Sequence, residues 1–357
     1  MKKYHEIGDA DKIVVSNSSM SEINPEEGGS PRKFIDFFKR VDKQEKSYFR
    51  IGNAVDKYVQ FPDTYTQFIE VSGTRPTDGW VNLAEEMIRI EDAVQDNNFN
   101  TLILAARQNL DFQSRWNPDT VISKFIDEGG KDYFDFLKRS AGKIILTQDE
   151  KMKFDSCIES LRANKYANEY LFNKEISIKQ AAIYFRHTVT IKVKGEDVKV
   201  ELLCKCLLDQ LILDNNMPCF MVNDLKTTGK AISLFEKSFE QYRYYRQLSF
   251  YILAVQYWLM GKATMVDDST GDKIEMTFKP PANCKFYANI IAVETENYNT
   301  CEIFPIKFNS GWLTKGTREY TSLLERIAWH QYTGEWFIDR DVFNASGQRF
   351  LKEPDNI

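Results

Sequence analysis

The sequence predicts an α+β fold, a mixed α/β arrangement in which a central, mostly antiparallel or mixed sheet is flanked by helices. Three observations predict it. Helical periodicity dominates residues 31–60, 80–140 and 146–172. Residues 175–228 then switch to strand-like runs, punctuated by turn signals in "KGED" (194–197) and "NNMP" (215–218). One helix, two strands and a last helix follow, an order unlike the strict alternation of doubly wound proteins.

Taken in order, residues 1–30 end in the polar, turn-rich "NPEEGGSP" and read as a loose N-terminal segment. "PRKFIDFFKRV" begins a helix at Pro31, with Phe34, Ile35, Phe38 and Val41 on one stripe. "FRIGNAVDKYVQF" is a second helix. Residues 80–140 hold several short ones, among them "NPDTVISKFIDEGG", which opens on a cap and closes on glycines. Residues 146–172 read as one long amphipathic helix, entered through a Thr147–Glu150 capping box. The β-rich run follows, then "SLFEKSFEQYRYYRQLSFYILAVQYWLM" as a single long helix. Strands are expected at 284–294 and 300–307, joined by "TENYN", and the chain closes on a helix near "GTREYTSLLERIAWHQYTG". No internal repeat is visible.

Composition narrows the function. The 357 residues are 43% hydrophobic and 13% aromatic, enough for a sizeable core. No apolar run approaches the ~20 residues of a membrane span. The N-terminus has two lysines but no apolar stretch after them, so a soluble, intracellular (cytoplasmic) protein is expected. The cysteines are scattered without a CxxC pair, which disfavours zinc ribbons and iron–sulfur clusters and predicts reduced core thiols. Histidine occurs only at His5, His187 and His330, and HExxH, GxSxG, GxxxxGK[ST] and GxGxxG are all absent. Carboxylate chemistry is what remains. A net charge of −5 neither advertises nor forbids nucleic acid, because a local basic stripe is what counts.

The carboxylates of interest flank "NNMP". In "VNDLKTTGK" Asp224 and Lys226 share a strand face, since the strand period is two. If those four residues are the loop, 214 pairs with 219 and Asp209 faces Asp224 across the ladder, with Cβ atoms about 5 Å apart. A loop shifted by one residue would separate them onto opposite faces. Two like charges so placed call for a cation between them, and a divalent ion with oxygen ligands is the natural occupant. Lys226, one step along, could polarise a water or stabilise charge developing on a phosphate. Glu175 is a candidate third carboxylate, although spacing alone reads it as an exposed residue after a helix end. Downstream, Lys226, Lys230, Lys237, Arg243 and Arg246 outnumber Glu236 and Glu240, with Tyr242, Tyr244 and Tyr245 interleaved. Cations among aromatics suit a phosphate backbone and unstacked bases, and an amphipathic helix with packed tyrosines is the alternative.

An acid followed by Asp-x-Lys on the next strand of a hairpin resembles the PD-(D/E)XK nuclease superfamily, and more closely the exonuclease VIII-like (RecE-type) phage and prophage nucleases. "FRIGNAVDKYVQFPDTYTQF", "LTQDEKMKFDSCIESLRANKYANEYLFNKEISI", "CKCLLDQL", "VNDLKTTGK", "YYRQLSFY" and "GTREYTSLLERIAWHQYTGEW" carry the resemblance, in that order. It spans about residues 31–75 and 140–336. It implies a single nuclease domain over 31–357, with a restriction-endonuclease-like core at about 140–336, a helical N-terminal part, and a helical insertion at about 76–139. By position it implies Glu175, Asp209 and Asp224 as metal ligands, joined by the Leu225 carbonyl. Lys226 would be the catalytic lysine, and Gln247 would reach the site from its helix. The residue before Asp209 is Leu208 rather than proline. Where close relatives would offer a histidine ligand, this chain has Asp56, which is expected to face the other carboxylates and support a second ion.

The resemblance further implies a Mg²⁺- or Mn²⁺-dependent deoxyribonuclease with two ions about 4 Å apart. An exonuclease on duplex DNA ends is expected, used in phage-type recombination or DNA processing. Such enzymes resemble ring-forming oligomers that pass a single strand to an annealing protein. An endonuclease on the same core, or an inactive DNA-binding or assembly protein that keeps the fold, are the other readings. DNA contacts are expected from Lys230, Lys237, Tyr242, Arg243 and Arg246, and no membrane partner is expected.

Overall fold

The structure, a computed structural model, describes residues 13–39, 47–73, 75–94, 98–172, 177–214, 219–275, 285–296, 298–307 and 309–348. The chain falls into two units: Met1–Gln44 with Ser160–Ile357, and Glu45–Glu159. The mixed α/β class with a mixed, helix-flanked sheet is the observed one.

The first unit begins with a short strand, β1 (Val14–Val15), and helices α1 (Asn17–Ile23) and α2 (Pro31–Lys39). Ser16 caps α1 reciprocally, its hydroxyl accepting from the Ser19 amide while Ser19 Oγ accepts from the Ser16 amide. Val15, Met20 and Ile23 are fully buried in the main core. Residues 14–30 are therefore not the loose segment their polar composition suggests. Their few apolar side chains are spaced to reach the core.

The second unit holds α3 (Ser47–Gln60), β2 (Ile69–Val71), α4 (Asp78–Ile90), α5 (Phe99–Asn109), α6 (Pro118–Asp127), α7 (Gly130–Arg139) and β3 (Ile144–Leu146). It packs around Trp80, Leu83, Met87, Ile103 and Phe125. Asn117 caps α6 as the "NPDT" signal predicts. The parallel β2–β3 pair is too short to show in the sequence pattern.

The predicted 146–172 helix is two helices, α8 (Gln148–Ala163) and α9 (Lys165–Phe172). Thr147 and Glu150 form the expected capping box on α8. Asn164 ends that run by capping the next, its Oδ1 accepting from the amides of Tyr166 and Ala167 at 3.1 Å each.

The main sheet is built from β4 (Ser177–Val193), β5 (Glu196–Asp214), β6 (Cys219–Thr228), β7 (Ala263–Asp267), β8 (Lys285–Glu294) and β9 (Cys301–Ile306). Their order is β7-β4-β5-β6-β8-β9, with β1 beside β5. β1–β5 and β6–β8 are parallel and the other pairs antiparallel. Lys194 and Gly195, both at positive φ, make the two-residue β4–β5 turn. Between β6 and β7 lie α10 (Phe235–Gln241) and α11 (Tyr244–Leu259), and α12 (Gly311–Thr333) and α13 (Arg340–Asn344) end the described chain. Leu248 and Phe250 of α11 and Leu324 and Ile327 of α12 are buried with the apolar side chains of the sheet. The two helices meet at Gly316, where a Cβ would stand 2.3 Å from the Tyr245 carbonyl oxygen. Cys157, Cys204 and Cys206 are buried, as expected for core cysteines, and Cys301 is partly exposed.

Candidate active site

The site forms where β5 leaves β6. The hairpin register is the predicted one: Asp214 pairs with Cys219, and the ladder runs back to Gln210–Asn223. There it stops. β6 continues beside β8 to the Thr228–Glu294 pair, so its β5-facing edge opens beyond Asn223. β1 takes only Leu203 and Cys204 of the corresponding β5 edge.

The opening has a local cause. On β5 the core-facing residues are Leu202, Cys204, Cys206 and Leu208, then Leu211 and Leu213, a slip of one position at Asp209–Gln210. On β4 the β5 ladder skips Gln180, whose φ is +48°, opposite the skipped Asp209. One residue on each strand leaves the ladder here, and the register on either side is unchanged. The break turns Asp209 out of the regular ladder and toward β6.

An open strand edge exposes amides that need partners. The Leu225 amide finds one in Asp209, whose Oδ2 accepts it at 2.8 Å. Within a strand a residue's N–H and C=O point to the same side, so the Leu225 carbonyl also faces this edge. Asp224 follows β6 into the interior and is 1% exposed. Its Oδ1 accepts from Gln247 Nε2 at 3.0 Å, and that amide also donates to the Tyr251 hydroxyl at 2.7 Å. Lys226 Nζ lies 2.6 Å from Asp224 Oδ2. Oδ2 is therefore met by the ammonium, away from solvent.

Burial raises the Asp224 carboxyl, and the neighbouring ammonium only partly offsets this. Burial works to lower Lys226, but Asp224, Asp209 and Tyr244 outweigh it and hold the ammonium above its ordinary value. Lys226 Nζ also sits 5.1 Å from the centre of the Tyr244 ring. Behind the site, buried amides cross the sheet: Asn289 donates to Asn223, Asn223 to Gln210, and Gln210 to the Tyr170 carbonyl of α9.

Asp209, Asp224, Leu225, Lys226 and Gln247 are thus brought together. Glu175 lies outside the described residues. Asp56 sits on α3 in the other unit, its Oδ2 accepting from Gln60 Nε2 at 2.6 Å. Among the described residues no group of three or more His, Cys, Asp or Glu gathers as a metal cage. The two aspartates nevertheless fit a hard cation. Both offer carboxylate oxygen, the donor type such ions prefer, on neighbouring strands at one open edge.

Two of the expected DNA contacts are corrected. Arg246 is fully buried, bonded to Glu27 (2.6 Å), Glu319 (2.9 Å), Asn17 (3.0 Å) and Ser21 (2.6 Å). Arg243 is half-buried and bonds Glu319 and Glu26. Both guanidiniums pin the N-terminal segment to α11 and α12. The single long helix predicted around them breaks at Tyr242–Arg243, where Arg243 adopts φ +54°. Lys230, Lys237 and Tyr242 are exposed. Sequence reasoning missed Tyr251, four residues after Gln247 on the same helix face, a spacing that could have found it. It also missed Asn223 and Asn289, for which strand polarity offers no signal.

No family model matches the chain, and neither does any curated protein. Among solved structures, one from Eubacterium rectale named "Putative exonuclease" is similar over 88% of this chain and 97% of its own, at 14% identity and a TM-score of 0.30. Another, SSO0001, is similar over 81% of this chain and 91% of its own, at 10% identity and a TM-score of 0.21. Among the described residues no helix is long and apolar enough to cross a membrane.

Proposed function

We propose that this chain is a metal-dependent deoxyribonuclease that hydrolyses phosphodiester bonds in DNA, acting as an exonuclease on duplex ends. One observation carries the reading: the fork between β5 and β6 gathers Asp209, Asp224 and Lys226, with Nζ and Oδ2 at 2.6 Å. Asp209, Asp224 and the Leu225 carbonyl would hold Mg²⁺ or Mn²⁺, with Glu175 as the remaining candidate ligand. Such an ion, when bound, lowers the pKa of a coordinated water and neutralises phosphate charge. Gln247 keeps Asp224 oriented through Oδ1. Lys226 keeps its proton, so it meets the charge developing on the phosphate as an ammonium rather than acting as a base. Asp209, fixed by the Leu225 amide, holds the open edge in shape.

The test is purified protein on linear and on covalently closed circular duplex DNA, with Mg²⁺ and with EDTA. Loss of linear DNA alone, only with Mg²⁺, is the expected result. Linearised circles would make the protein an endonuclease on the same core. No cleavage of either form would leave a DNA-binding or assembly protein.

A further inference from the structure

The α10–α11 junction holds a non-glycine residue, Arg243, at φ +54° near the site. In a continuous helix residues 242 and 244 would point about 200° apart, at about 100° per residue. Arg243 prevents this. It is a non-glycine residue in the left-handed region, which needs outside support. Glu26, Glu319 and the Tyr245 hydroxyl supply it, at 2.8, 2.9 and 3.0 Å from the guanidinium. The consequence is that the Tyr242 and Tyr244 rings come side by side, 5.8 Å between centres and 35° apart in plane. Tyr245 instead points into the core.

The two rings are flanked by cations. Lys230 Nζ lies 5.9 Å from the Tyr242 ring centre and Lys226 Nζ 5.1 Å from that of Tyr244. Tyr242 is 50% exposed, Tyr244 and Lys226 are half-buried, and the row ends on buried Asp224. Half of the Tyr242 ring therefore stands in solvent, beside a lysine.

We infer that Tyr242, backed by Tyr244, whose own ring stacks on Phe235 of the core, forms a stacking surface for unpaired bases, and that the strand reaching Asp224 and Lys226 is single-stranded DNA. Rings accept any base face, while Lys230 and Lys226 lie where phosphates would pass, so binding is independent of sequence. The inference rests on the nuclease reading for its biological sense: a duplex end would be frayed before the scissile phosphate enters the site.

The experiment is fluorescence anisotropy of a labelled oligothymidylate and of a blunt hairpin duplex of the same charge, in EDTA. Because no cleavage is involved, it can fail or succeed apart from the nuclease reading. Tyr242→Ala should weaken single-strand binding at least tenfold and duplex binding less than threefold. Tyr242→Trp should restore the single-strand affinity. Arg243→Gly, which tolerates the left-handed conformation, should bind within threefold of the parent. Single-strand affinity unchanged in Tyr242→Ala would overturn the inference. So would an equal loss on both probes, which would mark a duplex or general phosphate surface.

Discussion

Lys226→Ala should destabilise the fold by about 3–5 kcal/mol at pH 7, the usual result of stripping one partner from a buried ion pair. The Asp224 carboxylate is 1% exposed and the Lys226 side chain 19%, so water can solvate neither well. At 2.6 Å and an effective dielectric of about 20 their attraction is about 6 kcal/mol, part of it offset by desolvation. Removing the ammonium strands the carboxylate with Gln247 alone. The pH dependence follows. The folded-state pKa of Asp224 is raised, so its protonated form is favoured by folding, and that contribution is lost as pH rises through the folded value. Lys226→Ala raises the folded value further. The deficit against the parent should therefore be largest at neutral pH and shrink as pH falls into the carboxylate range. Asp224→Asn in the Lys226→Ala background should recover most of it. The assay is urea unfolding followed by circular dichroism at several pH values. A deficit below 0.5 kcal/mol, or one that does not change with pH, would refute the reasoning.

Other expectations concern what holds the site in place. Gly316→Ala sets a Cβ 2.3 Å from the Tyr245 carbonyl oxygen and 2.4 Å from Ser249 Oγ, so α11 and α12 must separate, and a loss of about 1–3 kcal/mol should appear in thermal melts. Asn223→Leu strands an acceptor on Gln210 and a donor on Asn289, and should cost about 2–6 kcal/mol at about 1–3 each, measured by chemical denaturation. Arg246→Met leaves Glu27 and Glu319 with only half-buried Arg243 as counter-ion and should cost about 3 kcal/mol, the low end of the range for a broken buried pair. Although burial opposes it, Arg246 holds the Glu27 carboxyl below its ordinary value. The parent's contribution from Glu27 is thus present above that ordinary value and lost as pH falls through the folded one, and Arg246→Met should remove this part of the acid dependence.

The hairpin was the legible part of the site. A four-residue loop and a period of two were enough to set Asp214 opposite Cys219, and the ladder keeps that register back to Gln210–Asn223, one pair short of Asp209 and Asp224. The break that makes the alignment useful was not legible. It lies in the backbone of Gln180 and Asp209, and neither residue type announces a break in the ladder. The helices of residues 80–140 were legible from caps and periodicity. The break at Arg243 was not, because tertiary ion pairs hold a conformation that local propensity disfavours. For the same reason Arg246 looked like a surface cation: its acids, Glu27 and Glu319, lie far away in sequence. β1 and α1 were hidden by brevity, with Val15, Met20 and Ile23 too few to outweigh polar neighbours.

The central claim is that Asp209 and Asp224 hold a catalytic divalent ion at the fork. The most direct measurement is Mn²⁺ binding by electron paramagnetic resonance on the parent protein, Asp209→Asn and Asp224→Asn, with nucleotide release from linear duplex followed on the same samples. The account predicts that each substitution weakens Mn²⁺ binding at least tenfold and removes nucleotide release while circular dichroism stays unchanged. Parent-like Mn²⁺ affinity and parent-like nucleotide release in both variants would contradict it.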